Sequence, residues 1–162
     1  MAAILIAIAL QTTLSTLGFG SGTSIDLVLI VVVYIGIKSG PSTGLLAGTV
    51  AGLIQDALGA GVLGIGGLAK TIVGFLSGVL GTQFIVTAPL PRFLLLLIGT
   101  ALHAAIYMGL YTMLNLRQFP APYSSVAGQA LGNAFLGVVA FQIIESLPGF
   151  VDRRRSGRFL KR

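Results

Sequence analysis

Apolar residues run through this chain in long blocks, separated by glycine, proline or charge. The first block covers residues 2–19 and breaks at Gly18-Phe19-Gly20-Ser21-Gly22. A membrane-spanning helix needs about 20 mostly apolar residues, within a range of about 17–25. The second block, 24–38, is short and rich in β-branched residues (Val31, Val32, Val33). In water that composition favours a strand. In lipid an unpaired strand leaves its backbone groups unsatisfied, so a helix is predicted. Ser24 is the expected cap, Asp26 falls in the first turn where the helix dipole favours an anion, and Lys38 closes the helix.

Pro41 opens a third helix over 41–58, which ends at Gly59-Ala60-Gly61. A fourth covers 64–86. Pro89 and Pro91 punctuate the next loop, and Arg92 follows. A fifth helix is predicted over 93–116 and a sixth over 125–147, where Pro148-Gly149 stops it. The expected architecture is an all-α membrane protein: a six-transmembrane-helix bundle over residues 1–150 and a basic tail over 151–162.

Composition agrees with that pattern. Hydrophobic residues make up 55% of the 162 positions and charged residues 9%. A soluble domain carries about 25% charged residues, so an ordinary soluble enzyme is excluded. There are no cysteines, which removes thiol catalysis and thiolate metal sites. The first residues carry no Lys or Arg ahead of the apolar block, so a removable signal peptide is not expected.

The net charge of +6 would suggest nucleic acid, but its location argues otherwise. Arg153, Arg154, Arg155, Arg158, Lys161 and Arg162 crowd the last ten positions. A polybasic tail beside a membrane helix reads as a contact with anionic lipid. With six spans, Lys38, Arg92 and the tail lie on one side, and Arg117 alone lies on the other. The positive-inside rule then places both termini in the cytoplasm.

Inside the spans, small residues recur every four positions: Gly44, Gly48 and Gly52 on the third helix, Gly74 and Gly78 on the fourth. Such strips let another helix approach closely. Asp56 continues the first strip and Lys70 begins the second. Both lie towards the outer ends of their helices, so an Asp56–Lys70 ion pair fixing the helix register is expected. A substrate or proton site and a contact to a partner protein are the other readings of these charges. His103, Tyr107 and Tyr111 step along the fifth helix, and Gln129 and Asn133 along the sixth. Interhelical hydrogen bonding is the expected role of His103, Gln129 and Asn133. Glu145 lies within reach of the basic tail.

Gly59-Ala-Gly61-Val-Leu-Gly64 matches a dinucleotide fingerprint but lacks the preceding strand, and Gly64-Ile-Gly-Gly-Leu-Ala69-Lys70-Thr71 lacks the second glycine of a P-loop. No catalytic set or metal-ligand spacing appears, and no cofactor is expected.

The stretch from Asp26 to Gly81 resembles the MreD family of rod-shape membrane proteins. The resemblance rests on Asp26-Leu-Val-Leu-Ile, Val33-Tyr34 and the turn Lys38-Ser-Gly-Pro41. It continues through the glycine-stepped helix ending in Asp56, Leu58-Gly-Ala-Gly-Val-Leu63-Gly64, and Leu68-Ala69-Lys70-Thr71-Ile72-Val73-Gly74.

The resemblance implies a non-enzymatic scaffold of the elongasome that binds MreC. It also implies work with the RodA glycosyltransferase, a class B penicillin-binding transpeptidase and, indirectly, MreB in lateral peptidoglycan synthesis. It implies a fold similar to the substrate-binding components of energy-coupling-factor transporters. The alternative function is that of such a vitamin-transporter subunit. A bundle acting on lipid or ions through Asp56 and His103 is a third class. In the scaffold reading the membrane helix of MreC enters one of the glycine grooves, and homodimerisation stays open.

Overall fold

The computed structural model describes residues 2–16, 25–59, 62–84, 88–115 and 123–146. The described residues form six helices and no strand. They are α1 (Ala2–Thr16), α2 (Leu27–Ser39), α3 (Pro41–Leu58), α4 (Ile65–Gln83), α5 (Pro89–Met113) and α6 (Tyr123–Ser146). Three stretches are long and apolar enough to cross a bilayer: Ile65–Gln83, Pro89–Met113 and Ser125–Ser146. The helices of the first half are shorter or less apolar. The basic tail, Arg117 and Ser24 lie outside the described residues.

Most boundaries follow the apolar blocks. The exception is α5, which begins at Pro89 rather than after Arg92. Proline is tolerated in a first turn, where its missing N–H has no helical partner to lose. Pro89 and Pro91 therefore open the helix instead of preceding it. Arg92, expected in a loop, becomes a helical residue that is 3% exposed.

The short β-branched α2 is the centre of the molecule. It touches α1, α3, α4, α5 and α6. Around it the neighbours meet in the order α1–α3–α4–α5–α6, while α1 and α6 do not touch. Two apolar clusters flank it. Val28 and Val32 pack with Ile4, Ala7, Ile8, Ala47 and Ala51 on one side. Leu29, Ile30 and Val33 pack with Val73, Leu96, Ala134 and Phe141 on the other.

The glycine strips explain the α3–α4 hairpin. A Cβ added to Gly44, Gly48 or Gly52 would overlap the backbone of α4 at Gly74, Lys70 or Gly67. A Cβ on Gly78 would sit 2.5 Å from the Cα of Pro41, and one on Gly36 would sit 2.7 Å from the carbonyl oxygen of Gly74. Gly36, Gly44 and Gly74 thus bring three helices into backbone contact. This corrects the expectation that a glycine groove on α3 or α4 is open to a partner. The grooves fill each other, because two antiparallel helices joined by a short turn present their small strips at the same depth.

Candidate functional site

A buried polar cluster ties the start of α2 to α4, α5 and α6. Lys70 Nζ lies 2.7 Å from Asp26 Oδ2. Both residues are 3% exposed. Lys70 Nζ also lies 3.2 Å from His103 Nε2. An ammonium has no lone pair, so in that contact Lys70 donates and His103 accepts. The Asp26 backbone N–H donates to Asn133 Oδ1 over 2.9 Å, and Asn133 Nδ2 donates to Thr100 Oγ1 over 3.2 Å.

The local sequence explains why the charges gather there. α2 has only 13 residues, about 20 Å at 1.5 Å per residue, so one of its ends lies within the bundle. A helix start in a dry interior leaves N–H groups that cost several kcal/mol each if unsatisfied, so side chains must supply acceptors. Asp26 is the N-cap, its Oδ1 accepting from Leu29 N over 2.9 Å. Gln11 of α1 accepts from Val28 N over 3.3 Å. The caps therefore come from Asp26 itself, from α1 and from α6. Sequence spacing placed Asp26 in the first turn and left it without a partner. Its role appears only once α4 is folded against α2.

The expected Asp56–Lys70 pair does not form. Asp56 Oδ2 accepts from Gly64 N at 2.8 Å and from Gly67 N at 3.0 Å, capping the start of α4. A Cβ on Gly66 would collide with the same carboxylate. The reason is depth. The hairpin register sets Lys70 opposite Gly48, eight residues before Asp56, which is about 12 Å along the helix. Lys70 therefore reaches inward to Asp26.

A second charged cluster lies at the other end of α2. Glu145 of α6 accepts from Lys38 and, at 2.8 Å, from Arg92 of α5. The Arg92 guanidinium sits 5.4 Å from the centre of the Phe141 ring. Phe141 in turn meets Tyr34 edge-on at 4.8 Å. The ends of α2 and α6 and the start of α5 are thus at one level. That is the arrangement expected of alternating spans; the tail expected near Glu145 lies outside the described residues.

Along α5, Tyr107 and Tyr111 stack at 4.8 Å and share a hydroxyl contact of 3.3 Å, continuing from His103. Among the described residues no group of acidic residues and histidines is arranged to hold a metal ion.

Comparison with known proteins gives one match. The family model for the rod shape-determining protein MreD covers residues 1–148. No curated protein and no solved structure matches the chain. The matched span includes all six helices and both charged clusters. The chain belongs to the MreD family of rod shape-determining membrane proteins.

Proposed function

We propose that this protein is a non-enzymatic scaffold that holds MreC in the bacterial inner membrane and so supports peptidoglycan synthesis along the cell length. Family membership over residues 1–148 is the observation that carries this reading. All six helices act as spans in it, with both termini in the cytoplasm, and the bundle has the form of an energy-coupling-factor substrate-binding component. RodA and the class B transpeptidase join through MreC, MreB joins indirectly, and the tail lies against anionic lipid.

The geometry suits such a scaffold. Two charged clusters, one at each end of α2, hold the bundle in one arrangement. A frame that recruits another helix gains from being pre-ordered, because it spends little entropy on binding. The transporter reading finds less support. The polar side chains that would line an outer pocket (Lys70, His103 and Asn133) bind one another or Asp26.

The test is a tagged pull-down from native membranes in mild detergent, with mass spectrometry of the bound proteins. Enrichment of MreC, with RodA and the transpeptidase, is expected. Enrichment of a transporter membrane subunit with its ATPases would overturn the scaffold reading.

A further inference from the structure

The turn between α3 and α4 differs in chemistry from the connections before and after it. No side chain from Ala57 to Ala69 is polar. The turn from α2 to α3 carries Lys38, Ser39, Ser42 and Thr43, and α4 ends on Thr82 and Gln83. A turn that stands in water is ordinarily rich in such residues. Here the large apolar side chains are exposed instead: Leu58 and Leu63 are each 66% exposed, and Val62 and Leu68 are exposed too. Water would be an unfavourable neighbour for each of them.

The backbone is arranged for a dry setting as well. α3 and α5 begin on the Lys38 side of the bundle, each with a proline in its first turn and no side-chain cap at Gly40 or Ala88. Water can serve the free N–H groups there. The starts of α2 and α4 each receive a carboxylate. Asp26 serves α2 inside the bundle, and Asp56 reaches from α3 to accept from Gly64 N and Gly67 N at the start of α4. The Gly59 N–H returns to the Gln55 carbonyl oxygen at 2.9 Å. Where water is scarce, such groups must be met from within the protein. The start of α4 is therefore built like the buried start of α2.

Depth agrees. Lys38, Arg92 and Glu145 gather at one level. A Cβ on Gly81 would sit 2.6 Å from the Cα of Ile37, so Thr82 of α4 lies level with Lys38. From Thr82 to Leu63 is about 29 Å at the helical rise, within the thickness of about 30 Å of a hydrocarbon core. Any tilt brings Leu63 closer still.

We propose that the α3–α4 turn is sunk to the acyl–headgroup boundary of the outer leaflet, as a lipid-binding surface with Leu58 and Leu63 among the acyl chains. Asp56 supplies the acceptor that water supplies at an ordinary turn. The occupant is lipid because the side chains of this surface offer no charge, hydroxyl or amide, and because it lies within acyl-chain depth of Lys38. A turn so placed fixes the depth of the closed hairpin and keeps it from water-soluble domains outside. The proposal rests on the reading of all six helices as spans.

The chain has no cysteine, so a single introduced thiol reports from one place. Leu58→Cys and Leu63→Cys mark the turn. Leu46→Cys marks the lipid-facing side of α3, and Gln83→Cys the exposed far end of α4. Each full-length variant is treated with N-ethylmaleimide in native membranes, and again after purification into dioleoylphosphatidylcholine vesicles. The thiolate is the reacting form and needs water, so both turn thiols should react about tenfold more slowly than Gln83→Cys and about as slowly as Leu46→Cys. The same ratio is expected in both preparations.

If Leu46→Cys is slow and both turn thiols are fast, the turn stands in water: the proposal is overturned and the spans stand. If Leu46→Cys is as fast as Gln83→Cys, α3 does not span, and the six-span reading falls with the proposal. Protection found in native membranes and lost in the vesicles would assign the surface to a partner protein. Protection in vesicles that is lost on dilution with lipid would assign it to a second copy of this chain. Either result overturns the proposal.

Discussion

The two sides of α2 are built differently. Towards α3 and α4 it meets backbone directly, through Gly36 against Gly44 and Gly74, and Asp26 reaches Lys70 across the same side. Towards α1 and α6 it presents larger side chains, and among the described residues these two neighbours do not touch each other. Lipid is as apolar as leucine, so helices in a bilayer associate through close packing and polar contacts rather than through water exclusion. The α3–α4 side is rich in both. The other side has polar ties from Gln11 of α1 and Asn133 of α6, and the helix ends gathered by Glu145. The difference separates a face closed by backbone contact from one filled by larger side chains.

Substitutions on the closed side should cost most. Gly44→Leu drives a side chain into the backbones of α2 and α4. Overpacking of a core costs about 1–3 kcal/mol when neighbours can shift, and more here because the neighbours are backbone. The variant should be lost from the membrane fraction, and normal levels would show that the hairpin is not close-packed.

Lys70→Met comes next, because it strands Asp26. Breaking a buried pair costs about 3–5 kcal/mol, whereas removing both partners is far milder. Thermal aggregation in detergent should show Lys70→Met as much less stable than the double variant Asp26→Asn/Lys70→Met. Equal losses would mean that the two charges do not support each other. Asp56→Ala combined with Lys70→Met should instead behave additively, since Asp56 acts on the start of α4.

At the Lys38 end, Glu145→Gln should cost less, about 1 kcal/mol, because the carboxylate is a third exposed. A fall as large as that of Lys70→Met would place this cluster in the interior. Gln11→Leu should be mildest, near the 0.6 kcal/mol average for a hydrogen bond inside a membrane protein. A larger effect would show that α1 holds α2 more firmly than the 3.3 Å contact with Val28 implies.

Much of the frame was legible in the sequence. Apolar block length located the helices, and Pro41 and Gly59 marked the ends of α3 as expected. The four-residue glycine step announced close helix approach, and that is where it occurs. What spacing did not supply was the partner of each strip, because a small residue says only that something comes near. The charges failed for a related reason. Asp56 and Lys70 both lie towards the outer ends of consecutive helices, which predicts a pair. The true partner, Asp26, is brought in by tertiary packing at a helix cap that the sequence alone placed two positions early, at Ser24. His103 and Asn133 do make the expected interhelical bonds. Arg92 looked like a loop cation because two prolines precede it, but first-turn prolines are no barrier to a helix.

The most direct measurement compares membrane levels of wild type, Gly48→Leu on the α3–α4 face and Gly109→Leu on α5. Gly48→Leu should be lost from the membrane fraction, because its side chain meets the backbone of Lys70, while Gly109→Leu, where an added Cβ meets nothing within 4 Å, should stay at the wild-type level. Equal levels of all three, or a loss confined to Gly109→Leu, would contradict the account of a frame closed by backbone contact between α3 and α4.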